Sequence, residues 1–88
     1  MANLPEQIAR NVKLRESLLP YEEIAPRSVR EQIDEVKVQQ LRQPAHDIFT
    51  VDGMDRNFGY LAARAKILVE AGIAREKDFP EIYPPARR

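Results

Sequence analysis

Apolar side chains recur along this chain at helical spacing, and prolines divide the recurrences into segments. The clearest run is FGYLAARAKILVEAG, Phe58 to Gly72. At 100° per residue, Met54, Phe58, Leu61, Ala62, Ala65, Leu68 and Val69 fall on one arc of roughly 120°. Tyr60, Ile67 and Ala71 fall on a second arc, separated from the first by Arg64 and Asn57 on one edge and by Asp55, Lys66 and Glu70 on the other. Gly59 and Ala63 lie beside the second arc and leave room for another backbone. The pattern predicts a helix with a core stripe and a further stripe that needs a cover. Asp52 is expected to cap its start, and Gly72 to end it, with Ile73 making the apolar contact that follows such an end.

Two more helices are expected upstream. The first opens with Asn3 as N-cap, Pro5 in the first turn and Glu6 near the positive helix end. Leu4, Ile8, Val12 and Leu19 fall on one side, interrupted by Arg15, and the helix is expected to stop near Ser17 or Leu18. PYEEIAP, from Pro20 to Pro26, reads as a connector anchored by Tyr21 and Ile24. Ser28 to Glu31 fits a capping box for the second helix, whose face is Val29, Ile33, Val36 and Gln40, with Val38 and Leu41 projecting elsewhere.

The alternation in EVKVQ and the β-rich DIFTV leave a hairpin open at about residues 35–51. The cap at Ser28 favours helix, making HDIFTV an extended connector anchored by Ile48 and Phe49. A further helical turn is expected over Ala74 to Phe79, and PEIYPPARR should run extended because of its prolines. The expected fold is therefore all-α: a compact three-helix domain over residues 1–79 with a short fourth helical turn, and an extended Pro-rich C-terminal tail over residues 80–88. The alternative is α+β with one β-hairpin.

Composition narrows this further. A chain of 88 residues, 43% hydrophobic and 32% charged, suits one folded domain with a small core. Basic and acidic residues number 14 each, with seven of either sign on both sides of the Gln43/Pro44 boundary. No surplus of cations is available to neutralise phosphates, which argues against nucleic acid. Cysteine is absent, so disulfides and thiolate metal sites are impossible. Charges interrupt the N-terminal segment every few residues, and no apolar run is long enough for a membrane span. The expectation is a soluble cytoplasmic protein without membrane contact.

Catalytic groups are scarce: one His (His46), two Ser (Ser17 and Ser28) and one Thr (Thr50). His46 beside Asp47 reads as a loop residue rather than a ligand. Asp47, Asp52 and Asp55 lack the spacing of a calcium loop, and no Gly-rich phosphate loop is present. No enzyme activity, cofactor or metal is expected. On the second helix, Arg27, Arg30, Lys37 and Arg42 share the surface with Glu31, Asp34 and Glu35, as in a solvated helix with i,i+4 ion pairs.

What remains is apolar surface: Tyr60, Ile67 and Ala71, Val38 and Leu41, and Ile82 and Tyr83. Internal packing in a three-helix arrangement accounts for part of it. The leading expectation is a small non-enzymatic protein that binds another protein, as a regulator, inhibitor or assembly accessory. Its candidate contact residues are Tyr60, Arg64, Ile67, Ala71, Ile82 and Tyr83, with Arg56 nearby. A homo-oligomer is left open. The alternatives are a small dimeric DNA-binding transcriptional regulator and a structural subunit of a larger assembly such as a phage particle.

Overall fold

The computed structural model describes residues 4–42 and 50–85. In order, they form α1 (Leu4–Ile24), α2 (Arg27–Arg42), α3 (Val51–Glu70) and a 3-10 turn over Glu76–Asp78. No strand occurs among the described residues. The first arm of the hairpin alternative is helical through Arg42, so that alternative is not supported. Residues 46–49 of the HDIFTV connector, with His46 and the anchors Ile48 and Phe49, lie outside the described residues, as does Asn3; Thr50 and Val51 are not connector but the cap and first residue of α3.

Helix α1 runs past the point where its sequence suggests a stop, with Pro20 inside it. Proline there removes the hydrogen bond to the Glu16 carbonyl and costs about 3 kcal/mol in a helix interior. Glu16 and Pro20 are both exposed, so the freed carbonyl faces water. The turn beyond Pro20 is held by tertiary contacts: the Tyr21 ring meets Phe79 edge-on at 5.8 Å, and Glu22 pairs with Arg64. Burial of the Tyr21 phenol, and then its hydrogen bond to Asp78, raise its pKa above the usual tyrosine value.

The longer helix presents a different inner face. Gln7, Asn11, Leu14 and Leu18 are buried, whereas Val12 and Leu19 are 51% and 45% exposed. Of the Leu4–Ile8–Val12–Leu19 stripe expected to pack, Val12 and Leu19 are therefore turned outward, while Leu4 and Ile8 are half-buried.

Ala25 and Pro26 join α1 to α2. The Pro26 carbonyl accepts from the Val29 and Arg30 amides, so α2 starts ahead of Ser28, which sits in its first turn rather than at its cap. Arg30 reaches back to donate to the Glu23 carbonyl at 2.8 Å, satisfying one of the carbonyls left open at the end of α1. Val29 and Ile33 are buried, and Val36 and Gln40 half-buried, as the sequence pattern predicts.

Thr50, not Asp52, caps α3: its hydroxyl accepts from the Gly53 amide at 3.0 Å. Asp52 lies in the first turn and pairs with Arg56 at 3.1 Å. At the other end, the Gly72 amide donates to the Val69 carbonyl and the Ile73 amide to the Leu68 carbonyl. This is a Schellman ending, with Gly72 at φ 76°. Ile73 packs against the core, as expected for the residue after such an end.

The chain then returns to α1. Asp78 accepts from the Arg75 amide at 2.8 Å, and Phe79 enters the core with no exposed surface. The Ile82 and Tyr83 amides both donate to the Phe79 carbonyl, so the segment from Pro80 to Tyr83 turns back onto the core rather than running extended. Lys13 and Glu81, 3.8 Å apart, tie it to α1.

Helix α3 packs against both α1 and α2. The body measures 41 × 34 × 17 Å. With neighbouring helix axes about 8–10 Å apart, its thinnest dimension accommodates two layers of helices.

Two outcomes are expected. Phe79→Ala lowers unfolding stability by about 3–5 kcal/mol, measured by urea titration followed by circular dichroism. Pro20→Ala raises it by about 1–3 kcal/mol by restoring the bond to Glu16; an unchanged urea midpoint would contradict a helix continuing through residue 20.

Candidate functional site

Two polar junctions bind the three helices to one another, and they decide which surfaces remain free. In the first, Arg64 of α3 lies in the buried stripe with Leu61 and Leu68. Its Nε and Nη2 each donate to one oxygen of Glu22 on α1, both at 2.8 Å. The two side chains are only 9% and 10% exposed. Lys37 of α2 stands 3.8 Å from the same carboxylate. One acidic group thus receives a bidentate guanidinium from one helix and an ammonium from another, the strong form of charged hydrogen bonding.

The second junction uses amides. Asn57 of α3 donates to the Asn11 side-chain oxygen of α1 at 3.1 Å and accepts from Gln40 of α2 at 2.9 Å. Asn11 in turn donates to the Gln7 carbonyl at 2.7 Å and the Met54 carbonyl at 3.3 Å. Gln7 and Arg10 both donate to Asp55, and the Arg10 guanidinium lies 3.7 Å over the Phe58 ring. Buried amides need such partners, because an unmet one costs about 1–3 kcal/mol. The apolar core contains Leu14, Leu18, Ile33, Leu61, Ala65, Leu68 and Phe79.

These contacts locate the candidate residues. Arg64 is withdrawn from the surface by Glu22. Tyr60 and Ile67 are half-buried, and Ile67 packs against the core. Their arc adjoins Asn57 and Arg64, the edge of α3 that faces Gln40 of α2. The second helix therefore supplies a cover for part of the second stripe. Ala71 is exposed as the C-cap of α3. Ile82 and Tyr83 pack against the core, and the Tyr83 pKa is raised by burial, then by Glu76 and Glu70. Tyr83 thus sits electrostatically close to the end of α3 that carries Ala71, while Arg56 is engaged by Asp52.

Among the described residues, the large apolar side chains left in water are elsewhere: Val12, Leu19 and Ile24 on α1, Val38 and Leu41 on α2, and Val51 at the start of α3. Leu41 is 84% exposed. Val38 and Leu41 were legible as lying off the packed face. Val12 and Leu19 were not, because ending α1 near Leu18 removes Tyr21 and Glu22 from the pattern. With them included, Leu14, Leu18 and Tyr21 mark the inner face, and Arg15 marks the stripe that stays outside.

Helical geometry puts the exposed residues of α1 and α2 on one side. On α1, Asn11 points to α3, Glu22 lies toward α2, and Leu19 and Val12 follow in the same rotational sense. On α2, Gln40 points to α3, Lys37 and Arg30 reach α1, and Leu41 and Val38 follow. Because the chain reverses between the two helices, both sets project away from α3. Among the described residues, no group of His, Cys, Asp or Glu side chains could hold a metal ion, and no helix is long and apolar enough to cross a membrane. Comparison with known proteins gave no matching family model, no similar curated protein and no similar solved structure.

The Glu22–Arg64 pair generates a thermodynamic prediction. Arg64→Met alone costs about 3–5 kcal/mol by stranding a buried carboxylate. Adding Glu22→Met recovers at least about 1 kcal/mol relative to the sum of the single changes, in a double-mutant cycle read by urea unfolding. Strict additivity would show that the pair is not coupled.

Proposed function

We propose that this chain is a small non-enzymatic protein that acts by binding another protein chain through an apolar helical face, as a regulator, inhibitor or assembly accessory. The observation that supports this reading is the face of α1 and α2 turned away from α3, with Val12 51%, Leu19 45%, Val38 43% and Leu41 84% exposed. Apolar groups gathered on one side of a thin body are a common mark of an interaction surface. This face takes the leading place that sequence alone gave to Tyr60 and Ile67; Ala71, Ile82 and Tyr83 form a separate area at the end of α3.

Three of the four α2 cations that a DNA-binding reading would use make contacts within the chain. Arg27 pairs with Glu31 at 3.3 Å, Arg30 holds the Glu23 carbonyl, and Lys37 stands by Glu22. With Glu31, Asp34 and Glu35 on the same helix, α2 has little net positive charge to face phosphates.

A photoreactive amino acid at Val12 tests the proposal. In native lysate it should form a covalent adduct with a protein chain, either a second copy or a different protein. The same group at Lys66, exposed on α3, should not. No adduct from Val12, or equal adducts from both positions, would overturn the reading.

A further inference from the structure

We infer that the occupant of the α1–α2 face is a second copy of this chain, placed by a twofold axis running along the two helices, so that α1 of each copy lies antiparallel on α2 of the other. The inference rests on the protein-binding reading above and names its partner.

Its first support is the order of residue types along the two exposed stripes. On α1 the stripe runs from half-buried Ile8 through exposed Val12, Arg15 and Leu19, at spacings of i, i+4, i+7 and i+11. On α2 it runs Glu31, Asp34, Val38, Leu41, at i, i+3, i+7 and i+10. Each spacing keeps its residues on one helix side. Set antiparallel with Arg15 opposite Asp34, the stripes bring Val12 against Val38 and Ile8 against Leu41. The one cation that breaks the α1 stripe meets an acid, Val12 and Ile8 meet apolar partners, and Leu19 lies beside Glu31 at the far end. Stacking α1 on its own copy would instead leave Arg15 without an acid in the facing stripe.

The second support is independent of side-chain matching. A twofold axis along the helices leaves heights along that axis unchanged, so residues level with one another within a copy are also level between copies. Asn11 and Gln40 are level within a copy, because both bond to Asn57. Counting antiparallel from that pair places Arg15 beside Val36, within two residues of Asp34. At 1.5 Å per residue this is a difference of about 3 Å, which an arginine side chain spans. The chemical register and the symmetry register therefore agree.

Charge and shape are compatible with this arrangement. The chain has no net charge, so two copies do not repel each other at long range. Both stripes belong to the same side of a body 17 Å thick, and a twofold pairing uses each stripe twice, giving the self-complementary interface expected of a closed dimer. In the pair, α1 and α2 of both copies form an inner four-helix layer with α3 outside.

Analytical ultracentrifugation over a concentration series tests the inference, with circular dichroism confirming that each variant is folded. The unmodified chain should dimerise. Arg15→Glu and Asp34→Lys, both at exposed positions outside the core, should each raise the dissociation constant roughly tenfold. The double variant, which exchanges the charges, should return to within about threefold of the original. A chain that stays monomeric throughout, or a dimer indifferent to all three variants, would overturn the inference. If the chain is monomeric while Val12 still crosslinks to a different protein, only the identity of the partner falls. If Val12 crosslinks to nothing, the protein-binding reading falls with it.

Discussion

Arg64 and Glu22 meet through two 2.8 Å hydrogen bonds at a point where three helices converge, and much of the architecture follows from that contact. Glu22 reaches this point only if α1 stays helical beyond Pro20. Staying helical there also delivers Tyr21 to Phe79, which anchors the C-terminal return of the chain. Lys37 approaches the same carboxylate from α2, so a single acidic group fixes where α2 lies relative to the other two helices. A buried ion pair is weak evidence for net stability, since desolvation offsets much of its attraction. Its clearer effect here is on arrangement: sliding any one helix by a turn would strand a charge.

The amide junction imposes the same restriction without charge. Asn57 can satisfy both Asn11 and Gln40 in only a narrow range of helix positions, since each bond is directional. Among the described residues, the large side chains with almost no exposure are few: Phe79, Leu14, Leu18, Ile33 and Leu68. Such a core supplies cohesion but tolerates several packings of similar volume. The polar contacts on its margin select among them. They also occupy the inner faces of α1 and α2 with groups that a pattern of hydrophobicity does not detect, and this is why apolar residues such as Val12 and Leu19 are free to face outward.

How far the sequence carries depends on the kind of signal. The α3 stripe, its Gly72 ending and the α2 face are local and periodic, and each stands in the structure as its pattern predicts. The extent of α1 is not local. Proline normally stops a helix, and what overrides it are partners 42 and more residues away, Arg64 and Phe79. The inner face of α1 was hidden for a related reason: Gln7 and Asn11 look like surface residues until Asp55, Met54 and Asn57 are placed beside them. Arg64, chosen from sequence as a contact residue, satisfies a partner within the chain. Distinguishing Thr50 from Asp52 as the α3 cap required the bond from the Gly53 amide.

Gly72 carries a consequence of a different sort. Its backbone has φ 76°, and a Cβ built there would meet nothing within 4 Å. Space is therefore not what excludes an L-side chain; chirality is, because the left-handed region brings its Cβ against its own backbone at roughly 1–2 kcal/mol. A D-residue has the opposite preference. In a chain of 88 residues, within reach of chemical synthesis by ligation, D-alanine at this position would keep the Schellman ending while removing the freedom that glycine retains when unfolded. The end of α3 is thus a place where the mirror-image amino acid suits the fold better than any of its encoded counterparts.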